Sequence, residues 1–357
     1  MTTRPAIAVA TALMLAAGIG AAHATVNFTT FVTASDIATV EGGNDATIAF
    51  NYAGNQFVGS VYFGNDNNQL YATSLTGGSV QPYGSPIPGF TGEVVVGAGL
   101  GQAGFAKGAI YAGNGSGPQI YSVPQSGTPT LFATVPDGGN VRQIFFDPGS
   151  GFGGNMLVTT NLGDVYKITS SGSVSLLASI GFDSEGMDIA SSADGTYAGD
   201  LLVGSEGAAE VHAITPGGAV LLLPLVNAGN SPTDLPEAET VSTVPDNICS
   251  AGNPVEGFYV ANYPVDIQKA AASQFCGLAG DTIVTGEFSS NSPVWDLHWN
   301  GTDFVVTQVG TLPDQSEDGI FVTAQRLSDI GVPEPATLAV LGTSIAFLLG
   351  ARRRRPS

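Results

Sequence analysis

Four segments of this chain repeat one pattern of short strands and tight turns at a nearly constant spacing. Their apolar anchor positions, Leu70, Ile120, Val165 and Val211, are 50, 45 and 46 residues apart. In each segment an apolar strand, a turn with Gly or Asn, a second strand and a Gly-containing turn follow one another. A four-stranded propeller blade occupies about 40–50 residues, so this spacing predicts a β-propeller.

Two further segments match the repeat less closely, around Ile267 and Val294. They lie only 27 residues apart, too few for a complete blade, and residues 227–253 show no strand pattern. We interpret residues 266–274 as one or two helical turns, and the rest of the domain as all-β. Dividing its length by the period predicts about six four-stranded blades. Five to seven blades, a β-sandwich or another all-β domain are the alternatives.

The first 24 residues have the parts of a secretory signal peptide. Arg4 is the only charge before an apolar stretch at residues 6–22, and Ala22-His23-Ala24 forms an A-x-A cleavage site. We therefore expect cleavage after Ala24 and export of the remainder. A first transmembrane helix is the alternative, and the small-residue site argues against it.

A second apolar run, at residues 336–351, lies between a Pro-Glu-Pro sequence and four arginines. Sixteen helical residues span roughly 24 Å, slightly less than the ~30 Å core of a bilayer, and the arginines can extend the span. Arginines hold their end of a membrane helix in the cytoplasm, so the bulk of the chain is expected on the other side. A simple membrane anchor and a buried helix with a basic tail are the alternatives.

The order of these C-terminal features resembles the PEP-CTERM sorting signal of Gram-negative bacteria. The resemblance implies export, temporary anchoring in the inner membrane, and cleavage near the Pro-Glu-Pro sequence by a membrane protease called exosortase. Proteins with this signal are often linked to extracellular polysaccharide and biofilm matrix. The chain then divides into a signal peptide (1–24), a propeller-like exported domain (25–331) and a sorting and anchoring segment (332–357). The residues that carry the resemblance are Val332, Pro333, Glu334, Pro335, Arg352, Arg353, Arg354 and Arg355.

The charge of the exported domain limits its partners. Between residues 25 and 332 there are 5 Lys and Arg against 29 Asp and Glu, which leaves a formal net charge of −24. A surface this acidic repels nucleic acid and anionic lipid, so we exclude DNA and RNA as partners. It is suited to holding divalent cations.

Cys249 and Cys276 are the two cysteines of the chain. An even number of cysteines in an exported protein indicates a disulfide bond. A catalytic thiol or a metal-binding pair are the alternatives, but neither cysteine has a neighbouring His or a C-x-x-C spacing.

The repeat units resemble those of six-bladed NHL or gluconolactonase-like propellers, although no diagnostic motif of either family is present. In propellers the ends of the inner strands face a central channel where ligands and metals sit. Four glutamates precede predicted inner strands: Glu185, Glu239, Glu256 and Glu317. If they converge, they form an oxygen-rich Ca²⁺ or Mg²⁺ site; otherwise they are solvated loop carboxylates.

Other motifs suggest chemistry less clearly. Residues 99–104 match the dinucleotide pattern G-x-G-x-x-G, but Gly108 interrupts the following helix and the next acidic residue is Asp137. We therefore interpret this segment as a glycine hairpin loop. After removal of the signal peptide His212 and His298 are the only histidines, so a zinc site with three histidines is excluded.

One pair of residues is the first place to look for a catalytic triad. Asp296 and His298 lie on the same face of a predicted strand, and Trp295 and Trp299 share the opposite face. The two tryptophans could stack on a sugar, but an alternating aromatic face more often belongs to a blade core. We interpret His212, in the middle of an apolar strand, as structural.

Two functions follow from these observations. The first is an exported, non-enzymatic propeller that binds matrix polysaccharide, another protein or a cation at the cell surface. The second is a metal-dependent, lactonase-like hydrolase that uses carboxylates around the channel, as the gluconolactonase-like resemblance implies. No complete catalytic constellation is visible in the sequence, which favours the first function. Convergence of the four glutamates would favour the second.

Overall fold

A computed structural model describes residues 25–323, apart from residues 44–46, 65–66, 88, 150 and 251. The described residues form six antiparallel sheets around a central channel, which is the architecture of a six-bladed β-propeller. The prediction of about six blades is therefore confirmed. The predicted signal peptide and sorting segment lie outside the described residues. Inside them, no helix combines the length and the apolar character needed to cross a membrane.

The chain enters the fold through strand β1 and a short helix, α1, whose start is closed by a capping box between Thr33 and Asp36. Blades 1 to 4 then follow in chain order, each with four consecutive strands counted from the channel outwards. The first elements are β1 (Thr29–Thr33) and α1 (Ala34–Glu41), and blade 1 contains β2 (Thr47–Tyr52), β3 (Gln56–Phe63), β4 (Leu70–Ser74) and β5 (Gln81–Tyr83). After β6 (Gly92–Glu93), which pairs with β3, blade 2 contains β7 (Val96–Ala98), β8 (Ile110–Gly113), β9 (Gln119–Val123) and β10 (Thr130–Thr134). Blade 3 contains β11 (Val141–Phe146), β12 (Met156–Thr160), β13 (Asp164–Ile168) and β14 (Val174–Ser179), and blade 4 contains β15 (Met187–Ile189), β16 (Leu201–Ser205), β17 (Glu210–Ile214) and β18 (Val220–Leu222).

Blades 5 and 6 are interleaved along the chain. Their strands are β19 (Leu225–Asn227), β20 (Ala238–Thr243), β21 (Gly257–Tyr263), β22 (Asp266–Ala271), β23 (Thr282–Gly286), β24 (Ser292–Trp299), β25 (Phe304–Leu312) and β26 (Gln315–Val322). From the channel outwards, blade 5 is β20, β23, β24 and β25, with β19 added in parallel, and blade 6 is β26, β21, β22 and β1. The chain thus builds the inner strand of blade 5, crosses to the middle of blade 6, and returns. The first and last described strands, β1 and β26, both belong to blade 6, as its outer and inner strands, and so close the ring.

This interleaving explains the irregular spacing in the sequence. All six anchor positions lie in the third strand of a blade: Leu70, Ile120, Val165, Val211, Ile267 and Val294. Ile267 and Val294 are close in sequence because blade 6 receives its third strand before blade 5 does. The interpretation of residues 227–253 as strand-free was wrong, because they contain β20, whose polar residues Glu239, Thr240 and Ser242 line the channel. The helix predicted at residues 266–274 was also wrong in its first part: β22 extends to Ala271, and a 3₁₀ helix follows at Ala272–Leu278.

Apolar and aromatic side chains between neighbouring blades form the core. The rings of Phe57 in blade 1 and Tyr259 in blade 6 lie 4.8 Å apart, and those of Tyr111 in blade 2 and Phe146 in blade 3 lie 5.6 Å apart. The inner strands also pack closely, since a Cβ atom on Gly97 would lie 2.4 Å from Cγ2 of Ile144. These contacts hold the inner strands in a fixed ring around the channel.

Cys249 and Cys276 form a disulfide bond, as predicted, with their Cα atoms 5.1 Å apart. Cys249 lies in a 3₁₀ helix at Ile248–Ser250, shortly after the chain leaves β20. Cys276 lies in the 3₁₀ helix through which the chain returns to β23. The bond therefore joins the start and the end of the excursion into blade 6.

Candidate functional site

The six inner strands enclose a cavity of about 540 Å³ along the channel. Every blade contributes lining residues from its inner strand, for example Ile48 in β2, Val96 in β7, Ile144 in β11, Met187 in β15, Thr240 in β20 and Ile320 in β26. The lining mixes apolar side chains with polar ones. Polar side chains line both ends of the channel, and the end where the inner strands begin carries Glu93, Glu185, Glu239 and Glu317 together with Arg142.

Acidic residues gather at that end because of the way antiparallel blades are connected. Loops that lead into inner strands and loops that join second to third strands lie on the same face of a propeller. The first kind of loop carries Glu93, Asp183, Glu185 and Glu237, and the second kind carries Glu206 and Glu287. Glu239 and Glu317 lie near the starts of β20 and β26. We call these eight side chains the mouth carboxylates: Glu93, Asp183, Glu185, Glu206, Glu237, Glu239, Glu287 and Glu317.

Arg142, at the start of β11, is the cation that the structure places among the mouth carboxylates. Its guanidinium donates to both oxygens of Asp183, at 3.1 and 2.7 Å, and pairs with Glu93 and with Glu185, the latter at 3.1 Å. Burial alone lowers the pKa of Arg142, but the charges of Glu185, Asp183 and Glu93 outweigh it and raise the pKa. Arg142 therefore stays charged and organises one side of the mouth.

Several mouth carboxylates are buried and resist ionisation. Burial, and then the repulsion of neighbouring carboxylates, raises the pKa of Glu239 well above its usual range. Burial also raises the pKa of Glu185 well above its usual range, although the charge of Arg142 acts in the opposite direction. Burial and the charges of Glu287 and Glu93 raise the pKa of Glu317 to about 10. Burial and the charge of Glu287 raise the pKa of Glu206 to about 7. Eight carboxylates thus face one guanidinium, and the excess negative charge favours uptake of protons or of cations.

The backbone around Glu239 holds it next to Glu185. The N–H of Gly186 donates to the carbonyl of Glu239 at 2.7 Å. A Cβ atom on Gly186 would lie 2.3 Å from that carbonyl oxygen, so this close approach of β15 and β20 requires glycine. Glu239 is only 3% exposed, and its Oε2 has no hydrogen-bond partner among the described residues. A buried carboxylate oxygen without a donor is a place where a proton, a water or a cation can bind.

Two groups of mouth carboxylates have the geometry of metal ligands. One oxygen each from Asp183, Glu185 and Glu206 lie within 4.8 Å of one another, and the same holds for Glu206, Glu237 and Glu287. Glu206 belongs to both groups. Carboxylates without nearby His or Cys suit a hard cation such as Ca²⁺ or Mg²⁺.

The structure brings three of the four sequence-predicted ligands together. Glu185, Glu239 and Glu317 line the same cavity. Glu256 lies elsewhere: it is 4% exposed, and its Oε2 accepts a hydrogen bond from the N–H of Asn253. Glu256 precedes β21, which is the second strand of blade 6 and not an inner strand, so the interleaved order of the blades places it away from the mouth.

Sequence reasoning missed six residues of the site: Glu93, Arg142, Asp183, Glu206, Glu237 and Glu287. Asp183 stands two positions before Glu185 and could have been found with it. Glu206 and Glu287 each follow a Gly at or near the end of a second strand, in Gly204-Ser205-Glu206 and Gly286-Glu287. That pattern, repeated in neighbouring blades, was the available signal.

The Asp–His pair singled out in the sequence lies in β24, in blade 5. The hydrogen-bonding partner of His298 is Asp281, which stands just before β23: Nδ1 of His298 lies 2.9 Å from Oδ1 of Asp281. Asp296 is fully buried, and neither of its carboxylate oxygens has a hydrogen-bond partner within the described part of the chain. Trp295 and Trp299 pack against the apolar cluster between blades 4 and 5, as expected of blade core.

The two remaining motifs have structural surroundings. Residues 99–108 form the connection between β7 and β8, where the N–H of Gly108 donates to the carbonyl of Gly99. This agrees with a glycine hairpin loop. Nδ1 of His212 in β17 lies 3.2 Å from the hydroxyl of Ser205, and burial lowers the pKa of His212.

Comparison with known proteins finds similarity at the level of the fold. No profile of a known protein family and no curated protein sequence matches the chain. A solved structure of a protein of unknown function from Bacteroides thetaiotaomicron is similar over 82% of this chain and 70% of its own, with 11% identity and a TM-score of 0.50. A candidate gluconolactonase (12% identity, 82% and 84% coverage, TM-score 0.48) and a streptogramin B lyase (10%, 82% and 96%, TM-score 0.45) are also similar. The WD40 propeller domain of Doa1 is similar too (11%, 82% and 90%, TM-score 0.44). At 11% identity, the likeness to the Bacteroides thetaiotaomicron protein shows a shared fold alone.

Proposed function

We propose that this protein is an exported β-propeller that binds a divalent cation at the mouth of its channel and uses the cation to hold an oxygen-rich extracellular ligand. The supporting observation is the group formed by Asp183, Glu185 and Glu206, whose oxygens lie within 4.8 Å of one another. The unpartnered oxygen of Glu239 lies beside this group and lacks a positive neighbour. A cation there would relieve the repulsion between these carboxylates.

Calcium is the cation that this group fits best. Ca²⁺ accepts six to eight oxygen ligands in flexible geometry, whereas Mg²⁺ needs near-octahedral geometry and keeps its waters. Three carboxylates leave several coordination positions of a calcium ion free for oxygens of a ligand. Sugar hydroxyls and uronic-acid carboxylates supply such oxygens, which is why we propose a matrix polysaccharide as the partner.

Exposed apolar side chains beside the mouth support a sugar ligand. Phe182, next to Asp183, is 49% exposed, and Leu162 is 53% exposed. The two loops touch each other, since a Cβ atom on Gly163 would lie 2.4 Å from the backbone nitrogen of Phe182. An aromatic face next to a cation can stack on a sugar ring whose hydroxyls reach the cation.

Calorimetric titration with Ca²⁺ tests the cation site. We expect the purified protein to bind Ca²⁺, and Asp183→Asn and Glu185→Gln to weaken binding at least tenfold. Asp303→Asn is the control: Asp303 lies in the turn between the third and fourth strands of blade 5, at the opposite face. Absence of Ca²⁺ binding by the unaltered protein would overturn the proposal.

The export and sorting part of the proposal depends on the terminal sequences. We infer that residues 1–24 direct secretion, that residues 336–351 hold the chain in the inner membrane, and that an exosortase-type protease then releases it near Pro333-Glu334-Pro335 to the cell surface. Fusing residues 332–357 to an exported reporter tests this. Membrane association followed by trimming is expected, and a reporter that shows neither would refute it.

A metal-dependent hydrolase is the second candidate function. It is favoured by the cavity of about 540 Å³ below the mouth, which is large enough to hold a small substrate next to the bound cation. Such an enzyme would hydrolyse lactones or esters with Ca²⁺ or Mn²⁺ bound. Turnover that Glu206→Gln abolishes would establish it, and a panel of lactones without metal-dependent turnover would exclude it for those substrates.

A further inference from the structure

The second group of mouth carboxylates lies between blades 4 and 5. Glu206 follows β16 of blade 4, Glu237 precedes β20, and Glu287 follows β23 of blade 5. Backbone hydrogen bonds fix these loops: the N–H of Glu287 donates to the carbonyl of Glu237 at 2.8 Å, and the N–H of Leu235 donates to the carbonyl of Ala209 at 2.9 Å. The three carboxylates are therefore held together by backbone contacts of both blades.

A buried side chain between the two groups gives an independent indication of bound cations. Glu239 is 3% exposed, lines the channel, and has one oxygen without a hydrogen-bond partner among the described residues. It lies between the segments that carry the two groups: Ala238 beside it pairs with Gly286, which precedes Glu287, and its own carbonyl accepts from the N–H of Gly186, which follows Glu185.

We propose that the mouth holds two divalent cations, the second bound by Glu206, Glu237 and Glu287, and that the Glu206 carboxylate bridges the two. This inference rests on the proposed cation-binding function and extends it from one ion to a bridged pair. Carboxylate-bridged ions lie about 3.5–4 Å apart in known two-metal sites. Such a pair presents two adjacent positive charges to one ligand, which suits a carboxylate or a vicinal diol that spans both ions.

Arg142 makes the two subsites unequal. It pairs directly with Asp183 and Glu185 of the first group, so part of the negative charge there is already neutralised. The charge of Arg142 also acts on Glu206 and Glu287, but the side-chain contact of Glu287 is with a neutral residue: Nε2 of Gln315 donates to Oε1 of Glu287. We therefore expect the second subsite to fill at a lower Ca²⁺ concentration than the first.

Ion stoichiometry tests the inference. The full-length protein is freed of metal with EDTA and titrated calorimetrically with Ca²⁺, and crystals soaked in Mn²⁺ are examined by anomalous diffraction. We expect two ions in the unaltered protein, one in Glu237→Gln and Glu287→Gln, and none at stoichiometric concentration in Glu206→Gln. Circular dichroism of each variant in EDTA confirms that the fold is retained, with Asp303→Asn as the matched control.

The possible outcomes separate this inference from the proposed function. No ion in the unaltered protein refutes both. One ion refutes the second subsite but leaves the proposed function standing. If the unaltered protein binds two ions and Glu206→Gln removes only one of them, the bridge is refuted. The bridged pair is also refuted if both ions persist in Glu237→Gln and in Glu287→Gln.

Discussion

Phe258 in β21 pairs directly with Phe321 in β26, and their rings lie 4.7 Å apart. Along the chain, three strands of blade 5 lie between the two residues: β23, β24 and β25. Phe258 belongs to the excursion that the chain makes from blade 5, and Phe321 belongs to its last described strand. The pair therefore joins the middle of blade 6 to its inner strand. With β1 outside them, three distant parts of the chain build one blade, and closure of the ring depends on their contacts.

Replacing Phe321 tests this dependence. Phe321 is 6% exposed and contacts Phe258 and Phe275. We expect Phe321→Ala to lower the free energy of unfolding by about 3–5 kcal/mol, the usual cost of deleting a buried phenyl ring. Urea denaturation measures the change. Leu131→Ala, at a position that is 58% exposed, should stay within about 0.5 kcal/mol of the unaltered protein.

The fold was largely predictable because its blades obey one local rule. Each of the four regular anchors lies at or next to the start of the third strand of its blade, so their spacing equals the length of a blade. These anchors are Leu70, Ile120, Val165 and Val211. The interleaving of blades 5 and 6 was not predictable in this way. Ile267 and Val294 carry the same local pattern as the other anchors, and no local pattern states which sheet a strand joins.

The site was predictable only where the order of strands was regular. Glu185 was recognised because it precedes an inner strand within an ordinary repeat. Glu256 was assigned on the same pattern but precedes a second strand, since blade 6 takes its inner strand from the end of the domain. Arg142 gave no signal, because its role depends on carboxylates from two other segments of the chain, around Glu93 and around Asp183 and Glu185.

The disulfide bond should stabilise the interleaved region. Cys249 and Cys276 close a loop with a sequence separation of 27 that contains both middle strands of blade 6. The double substitution to Ser should lower the free energy of unfolding by about 3–4 kcal/mol on the chain-entropy model. Urea denaturation without reductant checks this. Adding reductant should destabilise the unaltered protein to the level of the variant and leave the variant unchanged.

Gly186→Ala should disturb the site through the backbone. Its new Cβ atom would lie 2.3 Å from both the carbonyl oxygen of Glu239 and the nitrogen of Val241. β15 and β20 would have to separate, at a cost of about 1–3 kcal/mol, and Glu185 would move away from Glu239. We expect weaker Ca²⁺ binding in titration calorimetry. Gly277→Ala, where nothing lies within 4 Å of the added atom, should change neither stability nor binding.

Removing Arg142 should make folding depend on Ca²⁺. Without its guanidinium, Glu93, Asp183 and Glu185 face each other without a protein cation. In EDTA, Arg142→Gln should lower the free energy of unfolding by about 2–4 kcal/mol, as expected when one partner of a largely buried ion pair is removed. Because ligands stabilise the state that binds them, saturating Ca²⁺ should raise its melting temperature more than that of the unaltered protein.

Lys107→Gln provides the charge-matched control, since Lys107 is exposed and lies outside the mouth. It should respond to Ca²⁺ as the unaltered protein does. An Arg142→Gln variant that is as stable in EDTA as the Lys107→Gln variant would show that the mouth carboxylates do not depend on this arginine.

Asp296 should make stability depend on pH. Burial, then the charge of Asp281, raises the pKa of Asp296 to about 8 in the folded protein, well above its value in an unfolded chain. Between about pH 4 and pH 8, the carboxyl group of Asp296 is therefore protonated in the folded state and ionised in the unfolded state. This contribution to stability is complete below pH 4 and disappears as the pH rises to 8. Asp296→Asn keeps the shape of the side chain without a charge.

We therefore expect Asp296→Asn to be more stable than the unaltered protein at pH 8, by on the order of a few kcal/mol, and close to it at pH 4. Urea denaturation at both values measures the difference, so that groups common to both proteins cancel. Those groups include Asp281 and His298, which pair beside Asp296, and Asp194, whose pKa burial raises to about 6. A constant difference between pH 4 and pH 8 would mean that Asp296 is ionised in the folded protein throughout this range and is compensated by a cation.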